Sequence, residues 1–472
     1  MTGFATPGVR LDDLRDRRVV VWGAGNEGNA AVAVLLRHAP PAELTVIVDG
    51  EPGPGTTVRS SDSAEGRAAL GRAEVIVKSP GVSPYIGRFA QATAGKVVTG
   101  GTALWMAETQ GRRMVGITGS KGKSTTSSLL HHLLASLGES VVLAGNIGRA
   151  PIEVLGERRD VGTAVPVDGP DRYVFELSSF QCAEVGMSPE HGVLTALFPE
   201  HLNWHGTKER YYADKMNLFA DPGCRLAANM ANADVAKEAG SHRSLDAFGV
   251  EGTIRARGSD VIDADGHLLA SIASSRLIGS HNASNVAGAL TALRAIGYDI
   301  ALRADDLQEA LDSFEPLAHR LQVVGTRDGR LVVDDSLSTA PQAAVAALEA
   351  FGDRPVSIIV GGFDRGLDYA PLASACAART AATWVLGVPQ SGERLVPLIE
   401  AAVAARKAAN VRVELFEGPA GFDDAVSRAD LVTPAGGVIL LSPGAPSFGR
   451  FRDYRERGMH FRTLLGFDPV AP

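Results

Sequence analysis

Short apolar runs recur along the chain, each followed by a glycine-rich or polar loop and then by an alanine-rich stretch. The first such unit has a strand at Val19–Trp22, a glycine turn, a helix to about His38 and a strand at Thr45–Asp49. Four to eight apolar residues bounded by turn signals are typical of a strand that is buried on both faces. Strands that alternate with helices predict an α/β fold with mainly parallel sheets.

The apolar run Met114–Thr118 leads into a glycine-rich turn and then into a predicted helix at Ser124–Leu137. In a phosphate-binding loop, backbone N–H groups surround an anion, the helix N-terminus adds its dipole, and Lys123 supplies a positive charge. The first glycine of the usual pattern falls on Ile117, but a strand before and a helix after favour this interpretation over a structural turn. We expect a nucleoside triphosphate to bind here, with the Ser124 hydroxyl available to Mg²⁺. The residues assigned to the loop are Thr118, Gly119, Ser120, Lys121, Gly122, Lys123, Ser124 and Thr125.

The turn Gly23–Gly28 has the spacing G-x-G-x-x-G, and Asp49 closes the strand that follows it. This is the layout of a dinucleotide-binding fold, but a tight turn below a helix N-terminus suits any pyrophosphate, including that of a UDP-sugar. The next strand, Val75–Lys78, runs into the rigid turn Ser79–Pro84 at the kind of position where α/β sheets hold ligands. A turn without a ligand is the alternative.

Polar residues of the central region suggest a metal site. Glu176 ends an apolar strand, and an acidic residue there in a phosphate-loop domain usually contacts the metal; a solvated strand-end glutamate is the alternative. His201 is followed fourteen residues later by Lys215, and sequence alone does not distinguish this histidine from a surface residue. The segment Gly279–Asn285 opens a helix with amide side chains, which could simply cap it.

Three further predicted strands lie in the last third of the chain, at Leu331–Asp335, Val356–Val360 and Val438–Leu441. A loop of small or polar residues follows each strand. Because the carboxyl ends of parallel strands meet at one edge of a sheet, we expect these loops to converge on one site.

A length of 472 residues favours about three domains, each with its own core. We predict an α/β protein with a Rossmann-like domain at 1–111, a P-loop ATPase domain at 112–318 and a Rossmann-like domain at 319–472.

Composition narrows the class of protein. The net charge of −8 argues against nucleic acid as a main partner, and no apolar run approaches the ~18 residues of a membrane span. The cysteines Cys182, Cys224 and Cys376 lie far apart, which favours a reducing compartment. We expect a cytoplasmic protein, a monomer, with no membrane partner.

The order and spacing of these motifs together resemble the Mur ligase family, the ATP-dependent amino-acid ligases of peptidoglycan precursor synthesis. The resemblance covers nearly the whole chain. It rests on Thr118–Thr125, Gly145–Gly148, Glu176–Gln181, Pro199–His205 with Lys215, His281–Asn285, His319-Arg320 and Asp335–Thr339. Two segments, Glu176–Gln181 and Ser442–Phe448, are similar to the members that add glutamate to UDP-N-acetylmuramoyl-L-alanine.

The resemblance implies a mechanism and a set of sites. ATP would phosphorylate the alanine carboxylate, and the glutamate amine would attack the acyl phosphate. The catalytic residues would be Lys123, Glu176, His201 and Lys215. Two Mg²⁺ ions would be held by Ser124, Glu176, His201 and Lys215. Lys215 would be carbamoylated, because a protonated lysine cannot ligate a cation. ATP would also contact Asn282, Asn285, Arg320 and Asp335. UDP would contact Gly25, Asn26, Asp49, Ser79 and Gly81, the muramoyl-alanine end Asn146, Ser178 and Gln181, and glutamate Thr339, Arg365, Ser447, Phe448 and Tyr454.

The glutamate loops depart from the pattern of members that use D-glutamate. Those members typically read Asp-Ser-Lys-Ala-Thr-Asn where this chain reads Asp335-Ser-Leu-Ser-Thr-Ala340, and they carry lysine at Arg365 and aspartate at Gly449. Guanidinium and ammonium groups recognise carboxylates differently. These features resemble a branch that adds L-glutamate and leaves inversion to a separate epimerase, so we expect L-glutamate as the substrate.

Three alternatives stay open at this point. The nearest is the same ligation with D-glutamate. A folate polyglutamylating enzyme would share the central domain but not the UDP-type N-terminal unit. An NAD-dependent oxidoreductase is the alternative from a different class, and the phosphate loop disfavours it.

Overall fold

The computed structural model describes most of the chain as α/β structure. The described residues are 4–50, 52, 57–87, 89–160 and 172–468.

Two compact units make up the chain. The first comprises Met1–Ala273 with His281–Phe314, and the second comprises Ser274–Ser280 with Glu315–Pro472. The first predicted domain boundary therefore lies inside the first unit, and the second predicted boundary lies four residues beyond Phe314, where that unit ends. The division into three domains stays a prediction.

The first sheet of the first unit is fully parallel, in the strand order β3-β2-β1-β4-β5. Its central strands are buried on both faces, as the continuous apolar runs predict. The strands are β1 Arg18–Trp22, β2 Glu43–Val48, β3 Arg59–Ser60, β4 Val75–Lys78 and β5 Val97–Thr99; a short 3₁₀ helix, Leu11–Leu14, precedes them, and the helices are α1 Asn26–His38, α2 Ala64–Arg72, α3 Phe89–Thr93 and α4 Gly101–Thr109.

The second sheet of this unit is also parallel, in the order β11-β10-β9-β6-β8-β7. Its strands are β6 Met114–Thr118, β7 Val141–Gly145, β8 Arg172–Glu176, β9 His191–Leu194, β10 Arg225–Asn229 and β11 Leu245–Phe248. The helices are α5 Lys123–Ser136, α6 Pro151–Asp160, α7 Ser179–Cys182, α8 Leu202–His205, α9 Lys208–Met216, α10 Ala233–Ala239, α11 Ser280–Ile296 and α12 Ala304–Ser313, with a 3₁₀ helix at Asn217–Phe219. A small antiparallel sheet that the sequence did not predict is formed by β12 Arg255–Arg257, β13 Asp260–Ile262 and β14 Leu268–Ser271.

One hydrophobic cluster joins the two large sheets of the first unit. Trp105 on α4 is fully buried, and its ring lies 4.9 Å from the ring of Tyr173 and 4.6 Å from that of Phe175 on β8. The same cluster includes Val21 of β1. A separate cluster that includes Trp22, Ile47 and Ile76 lies wholly before residue 111, so the first sheet shares one core with the second sheet and has another of its own. The expectation of three domains, each with its own core, stays a prediction.

The second unit has a six-stranded sheet in the order β15-β16-β20-β17-β18-β19, in which only β15 is antiparallel. Successive residues of β17, Ile358 and Ile359, belong to different hydrophobic clusters, because side chains of a strand alternate between its faces. The strands are β15 Gln322–Arg327, β16 Arg330–Asp334, β17 Val356–Gly362, β18 Thr383–Gln390, β19 Val411–Leu415 and β20 Val438–Leu441; the helices are α13 Pro341–Glu349, α14 Ala370–Ala378, α15 Ser391–Arg406, α16 Gly421–Val432 and α17 Tyr454–Leu464.

The predicted fold class is confirmed: each large sheet is parallel or nearly so, and helices connect most of the successive strands. The three cysteines are all buried and free. Among the helices of the described residues, none has the length and apolar character needed to cross a bilayer.

Candidate functional site

The phosphate loop connects β6 to α5, as the sequence predicts. Gly119 and Gly122 have φ angles of +147° and +89°, and a Cβ atom on Gly119 would lie 2.1 Å from the hydroxyl of Thr195. That hydroxyl donates to the carbonyl oxygens of Thr118 at 3.2 Å and Lys121 at 2.6 Å. The segment that follows β9 thus holds the phosphate loop in place. Only glycine fits at Gly119, where the loop comes closest to that segment.

The same segment contacts the loop at two more points. The Ser120 hydroxyl donates to the carbonyl oxygen of Phe198 at 2.8 Å and lies 2.9 Å from the hydroxyl of Tyr211. Lys121 forms an ion pair with Glu200 at 2.8 Å. Thr195 was not predicted as part of the site. The feature that could have identified it is a polar residue directly after an apolar strand.

Helix α5 begins at the end of the loop and carries Lys123, Ser124 and Thr125 in its first turn. The ammonium group of Lys123 donates to the carbonyl oxygens of Gly119 at 2.9 Å and Ser120 at 3.1 Å. Since the first N–H groups of a helix have no intrahelical acceptor, this end of α5 favours an anion. The lysine charge lies where that anion would bind.

Glu176 ends β8 and is 1% exposed. Asn146 holds it twice, since its side-chain amide donates to Oε1 at 3.0 Å and its backbone N–H donates to the glutamate carbonyl oxygen at 2.7 Å. The second carboxylate oxygen, Oε2, is buried and has no hydrogen-bond partner among the described residues. A buried carboxylate oxygen without a partner is costly, and a divalent cation is a ligand that would satisfy it.

Lys215 on α9 is buried, and its ammonium group reaches the phosphate loop, donating to the carbonyl oxygen of Gly119 at 2.8 Å. Burial lowers the pKa of Lys215 to about 7, and the nearby charge of Lys123 acts in the same direction. A large fraction of this lysine is therefore a neutral amine at neutral pH, the form that can react with CO₂.

His201 has a φ angle of +52° at the residue before α8, and its ring lies 5.0 Å from the ring of Phe180. Desolvation lowers the pKa of His201, with Lys215 and Lys123 adding positive charge nearby. The imidazole is thus favoured in its neutral form, which is the form that ligates metals.

Two amides of α11 are associated with the phosphate loop. The side chain of Asn285 donates to Oδ1 of Asn282 at 2.9 Å, and a Cβ atom on Gly122 would lie 2.4 Å from Oδ1 of Asn285. The structure therefore brings Asn285 directly beside the loop.

The glycine turn after β1 is as tight as its spacing suggests. A Cβ atom on Gly28 would lie 1.9 Å from the carbonyl oxygen of Gly23. Gly25 directly precedes α1, Asn26 begins it, and both residues are exposed. The hydroxyl of Ser79 donates to the carbonyl oxygen of Gly23 at 3.3 Å, so the loop after β4 lies against this turn.

Asp49 and Gly81 have partners within the protein. Oδ1 of Asp49 accepts hydrogen bonds from the indole N–H of Trp22 at 3.1 Å and the hydroxyl of Ser61 at 2.8 Å. The carbonyl oxygen of Gly81 accepts from the indole N–H of Trp204 at 3.2 Å. Asp49 is exposed and lies at the carboxyl end of β2.

Ser178 and Gln181 form a capping box at the start of α7. The amide of Gln181 also donates to Glu27 at 2.6 Å, in the first turn of α1. Burial, followed by the neighbouring Glu184, raises the pKa of Glu27 to about 8, so this group is mainly uncharged at neutral pH. A neutral Glu27 removes a charge that would otherwise repel an anion at this turn.

In the second unit, Asp335 follows β16 and is buried. Its carboxylate accepts from the hydroxyl of Ser442 at 2.6 Å and the backbone N–H of Leu321 at 3.0 Å. Burial raises the pKa of Asp335 to about 7, and Arg320 is among the charges that lower it.

Sequence reasoning missed the preceding residue, Asp334. It is fully buried, and Oδ2 lies 2.7 Å from Nδ1 of His319 and accepts from Arg462 at 2.8 Å. The sequence feature that could have identified Asp334 is a second acidic residue next to Asp335 at a strand end.

The predicted glutamate residues occupy three loops of the second unit, apart from Tyr454, which begins helix α17. Arg365 is exposed, and its guanidinium lies 5.9 Å from the centre of the Phe448 ring. Ser447 is buried, whereas Thr339 and Tyr454 are partly exposed.

A cavity of about 350 Å³ lies at the carboxyl ends of β17, β18 and β19. Ser447 and Phe448 line it, but Thr339, Arg365 and Tyr454 do not. The structure therefore brings only part of the predicted set to this cavity.

Comparison with known proteins identifies the family. The Mur ligase middle domain matches residues 117–293. The UDP-N-acetylmuramoyl-L-alanine--L-glutamate ligase of a Micromonospora strain is 42% identical, with 97% of this chain and 98% of that protein covered. The ligase of the same name from Salinispora tropica is 41% identical, with 97% and 99% covered.

A solved structure shares the fold at lower identity. The MurF ligase of Thermotoga maritima, in complex with ADP, is 18% identical, with 92% of each chain covered and a TM-score of 0.53. The chain therefore belongs to the Mur ligase family of ADP-forming ligases.

Proposed function

We propose that the protein joins L-glutamate to UDP-N-acetylmuramoyl-L-alanine at the expense of ATP, through an acyl phosphate. The names of the similar proteins, at about two fifths identity over nearly the whole chain, support this substrate pair. The observation that carries the chemistry is the grouping of Lys123 and Lys215 on the phosphate loop, since both ammonium groups donate to the carbonyl oxygen of Gly119.

A carboxylate does not react with an amine at neutral pH, so the alanine carboxylate is first activated by phosphorylation. Its oxygen attacks the γ-phosphorus of ATP, and ADP leaves. Lys123 offsets the negative charge that develops on the transferred group, and the N–H groups at the start of α5 bind the phosphate oxygens. The neutral amine of glutamate then attacks the acyl carbon, the nitrogen loses a proton, and phosphate leaves from the tetrahedral intermediate.

The residues present fit the magnesium ions that the family implies. Ser124, Glu176 and His201 would hold them, together with Lys215, and the unpartnered Oε2 of Glu176 is the observation that supports this assignment. When bound, Mg²⁺ would neutralise the negative charge of the phosphate groups. Asn146 fixes the other oxygen of Glu176, which leaves Oε2 to the cation.

Carbamoylation of Lys215 follows from the same chemistry. The amine attacks CO₂, the new N–C bond forms, and a proton is lost, so a cationic group becomes an anionic carbamate. Burial and a pKa of about 7 make the neutral amine available. An ammonium group with a free lysine's pKa of ~10.4 would be almost wholly unreactive at neutral pH.

The first sheet would bind the UDP group. The tight turn before α1, the exposed Asp49 and the loop from Ser79 to Gly81 lie at the carboxyl ends of β1, β2 and β4, where parallel sheets bind ligands. Neutral Glu27 is compatible with a pyrophosphate there. A cytoplasmic location, a monomeric state and a pathway link to a separate glutamate epimerase stay predictions.

The second unit would distinguish L-glutamate from D-glutamate. Both enantiomers carry the same two carboxylates and one amine, so selection depends on where the carboxylates are held. Arg365 is the proposed partner of one carboxylate. The other carboxylate would contact Thr339, Ser447 and the backbone of Phe448. Tyr454 would line one side of the site.

Arg365→Lys should lower activity with L-glutamate about tenfold or more without creating activity with D-glutamate. A guanidinium makes a two-pronged contact that an ammonium does not reproduce. The measurement is kcat/KM for each enantiomer. Arg394→Lys is the matched control, because Arg394 lies on the neighbouring surface and forms an ion pair with Asp364 at 2.7 Å. Equal kcat/KM for Arg365→Lys and the wild type would remove Arg365 from the site.

The proposed function is tested by incubating the full chain with ATP, Mg²⁺, UDP-N-acetylmuramoyl-L-alanine and L-glutamate. We expect one ADP and one phosphate for each new dipeptide product, identified by mass. Omitting either the UDP substrate or glutamate should abolish product formation. ATP consumption without a product of the expected mass would contradict the proposal.

A further inference from the structure

A chain of hydrogen-bonded side chains links the loop after β4 to helix α9 and lies outside the proposed catalytic set. The hydroxyl of Tyr85 donates to Oδ1 of Asp214 at 2.6 Å, Oδ2 of Asp214 lies 2.6 Å from Nδ1 of His205, and Nε2 of His205 lies 2.9 Å from the hydroxyl of Ser179. We call these four residues the polar relay. Because a carboxylate only accepts, Nδ1 carries the proton toward Asp214.

The polar relay is buried over most of its length. Asp214, His205 and Ser179 are 6%, 2% and 2% exposed. A buried carboxylate is costly unless its oxygens are hydrogen-bonded, and both oxygens of Asp214 have partners from different segments. The relative positions of these segments are therefore fixed by directed bonds as well as by packing.

Each buried member of the relay is close in sequence to a proposed metal residue. Asp214 directly precedes Lys215 on α9, and Ser179 begins the helix that follows Glu176. The third member, His205, ends the short helix α8, which begins directly after His201. A shift of any relay residue would move the catalytic side chain beside it.

The other end of the relay lies in the loop proposed to bind UDP. Tyr85 follows Ser79 and Gly81 in that loop, and a second link runs beside the first. The hydroxyl of Ser83 donates to the carbonyl oxygen of Trp204 at 2.6 Å, and the indole of Trp204 donates back to Gly81. Two sets of hydrogen bonds thus connect the loop to helices that lie next to the proposed metal residues in the sequence.

We propose that Asp214 and His205 are positioning residues through which the loop from Ser79 to Tyr85 sets the placement of Lys215. The inference rests on the proposed function, because it assigns Lys215 its catalytic role. The order Ser–His–Asp is also that of a hydrolase triad. In this protein the Ser179 hydroxyl lies 2.9 Å from Nε2 of His205 and is buried, and we assign the arrangement a positioning role.

Tyr85→Phe is the sharpest test, since it removes one hydroxyl from the half-buried end of the relay. We expect kcat at saturating substrates to fall about tenfold, because misplacing a reacting group by about an ångström can cost about a hundredfold in rate. A loop that only binds UDP would instead raise KM for the UDP substrate and leave kcat unchanged.

Tyr212→Phe is the matched control. Tyr212 lies on the same helix α9, and its hydroxyl donates to Asp234 at 2.8 Å, outside the relay. This variant loses the same kind of bond, and we expect its kcat to stay within about twofold of the wild type. Equal kcat values for Tyr85→Phe and Tyr212→Phe would overturn the inference.

A second readout does not depend on turnover. Enzyme equilibrated with ¹³C-bicarbonate should show a carbamate resonance that Lys215→Ala lacks. We expect this resonance to weaken in Tyr85→Phe and Asp214→Asn and to persist in Tyr212→Phe. Added bicarbonate should then restore part of the lost kcat in Tyr85→Phe.

The two proposals fail in different ways. A wild-type enzyme without ligase activity toward either glutamate enantiomer would contradict the proposed function. The carbamate signals of Tyr85→Phe and Tyr212→Phe would still decide the inference in that case, and equal signals would overturn it.

Discussion

Lys123→Ala should reduce ATP-dependent ligation to less than a tenth of the wild-type rate while the fold persists. The ammonium group lies over the phosphate loop and donates to two of its carbonyl oxygens, so its charge is available where phosphoryl charge develops. A tenfold loss corresponds to about 1.4 kcal/mol of barrier. We expect a loss well beyond that value.

Stability should change much less than activity in this variant. Lys123 is only partly buried, and an intramolecular hydrogen bond contributes ~1 kcal/mol to folding. Lys208→Ala, which removes a partly exposed ion pair with Asp234, is the control for loss of a lysine. Activity of Lys123→Ala above a tenth of wild type, with a normal unfolding temperature, would remove Lys123 from the catalytic set.

Glu176→Gln should lower turnover by roughly a hundredfold or more, because it exchanges a carboxylate for an amide of nearly the same shape. The hydrogen bond from Asn146 to the retained oxygen can persist, so packing around the strand end is kept. Without the negative charge, Mg²⁺ binding should weaken. Activity measured as a function of Mg²⁺ concentration should show a higher half-saturation point than in the wild type.

Glu190→Gln provides the control for this change. Glu190 is an exposed carboxylate that accepts from the backbone of Arg113 near the opposite end of the sheet. Its substitution should leave the Mg²⁺ requirement unchanged. A Glu176→Gln enzyme with the wild-type Mg²⁺ dependence would show that Oε2 does not serve a cation.

The sequence predicted those parts of the site that are set by local geometry. The phosphate loop was recognisable because a buried strand, two glycines and a helix start are consecutive. The strands β1, β4 and β20 were found within a residue of their observed ends, since strands buried on both faces are continuous apolar runs.

Contacts between residues that are far apart in the chain could not be predicted in this way. Lys78 donates to Glu184 at 3.3 Å across 106 residues, and both side chains are fully buried. The bond between Tyr85 and Asp214 spans 129 residues. No spacing rule links such pairs, because the approach of two sheets brings them together.

The same reason explains why the hydrophobic cluster shared by the two sheets could not be predicted from the sequence. Trp105 lies in an apolar segment that could cover either sheet of the first unit. Its contacts with Tyr173 and Phe175 depend on how the two sheets pack. Periodicity predicts which face of an element is buried, but it does not predict which neighbour covers that face.

The proposed glutamate site combines both cases: its loops follow from local pattern, whereas the positions of its side chains do not. The three loops that carry Thr339, Arg365 and Ser447 were located from strand ends and from resemblance. The sequence does not determine the shapes of these loops. Of the three residues, only Ser447 lines the cavity of the second unit. The assignment of Arg365 therefore depends on the two-enantiomer kinetics of Arg365→Lys.

Phosphate release measured with UDP-N-acetylmuramoyl-L-alanine and each glutamate enantiomer separately tests the central claim most directly. With ATP and Mg²⁺ at saturation, we predict turnover with L-glutamate at least about a hundredfold faster than with D-glutamate, because a misaimed amine reacts poorly. Faster turnover with D-glutamate would contradict L-glutamate as the substrate.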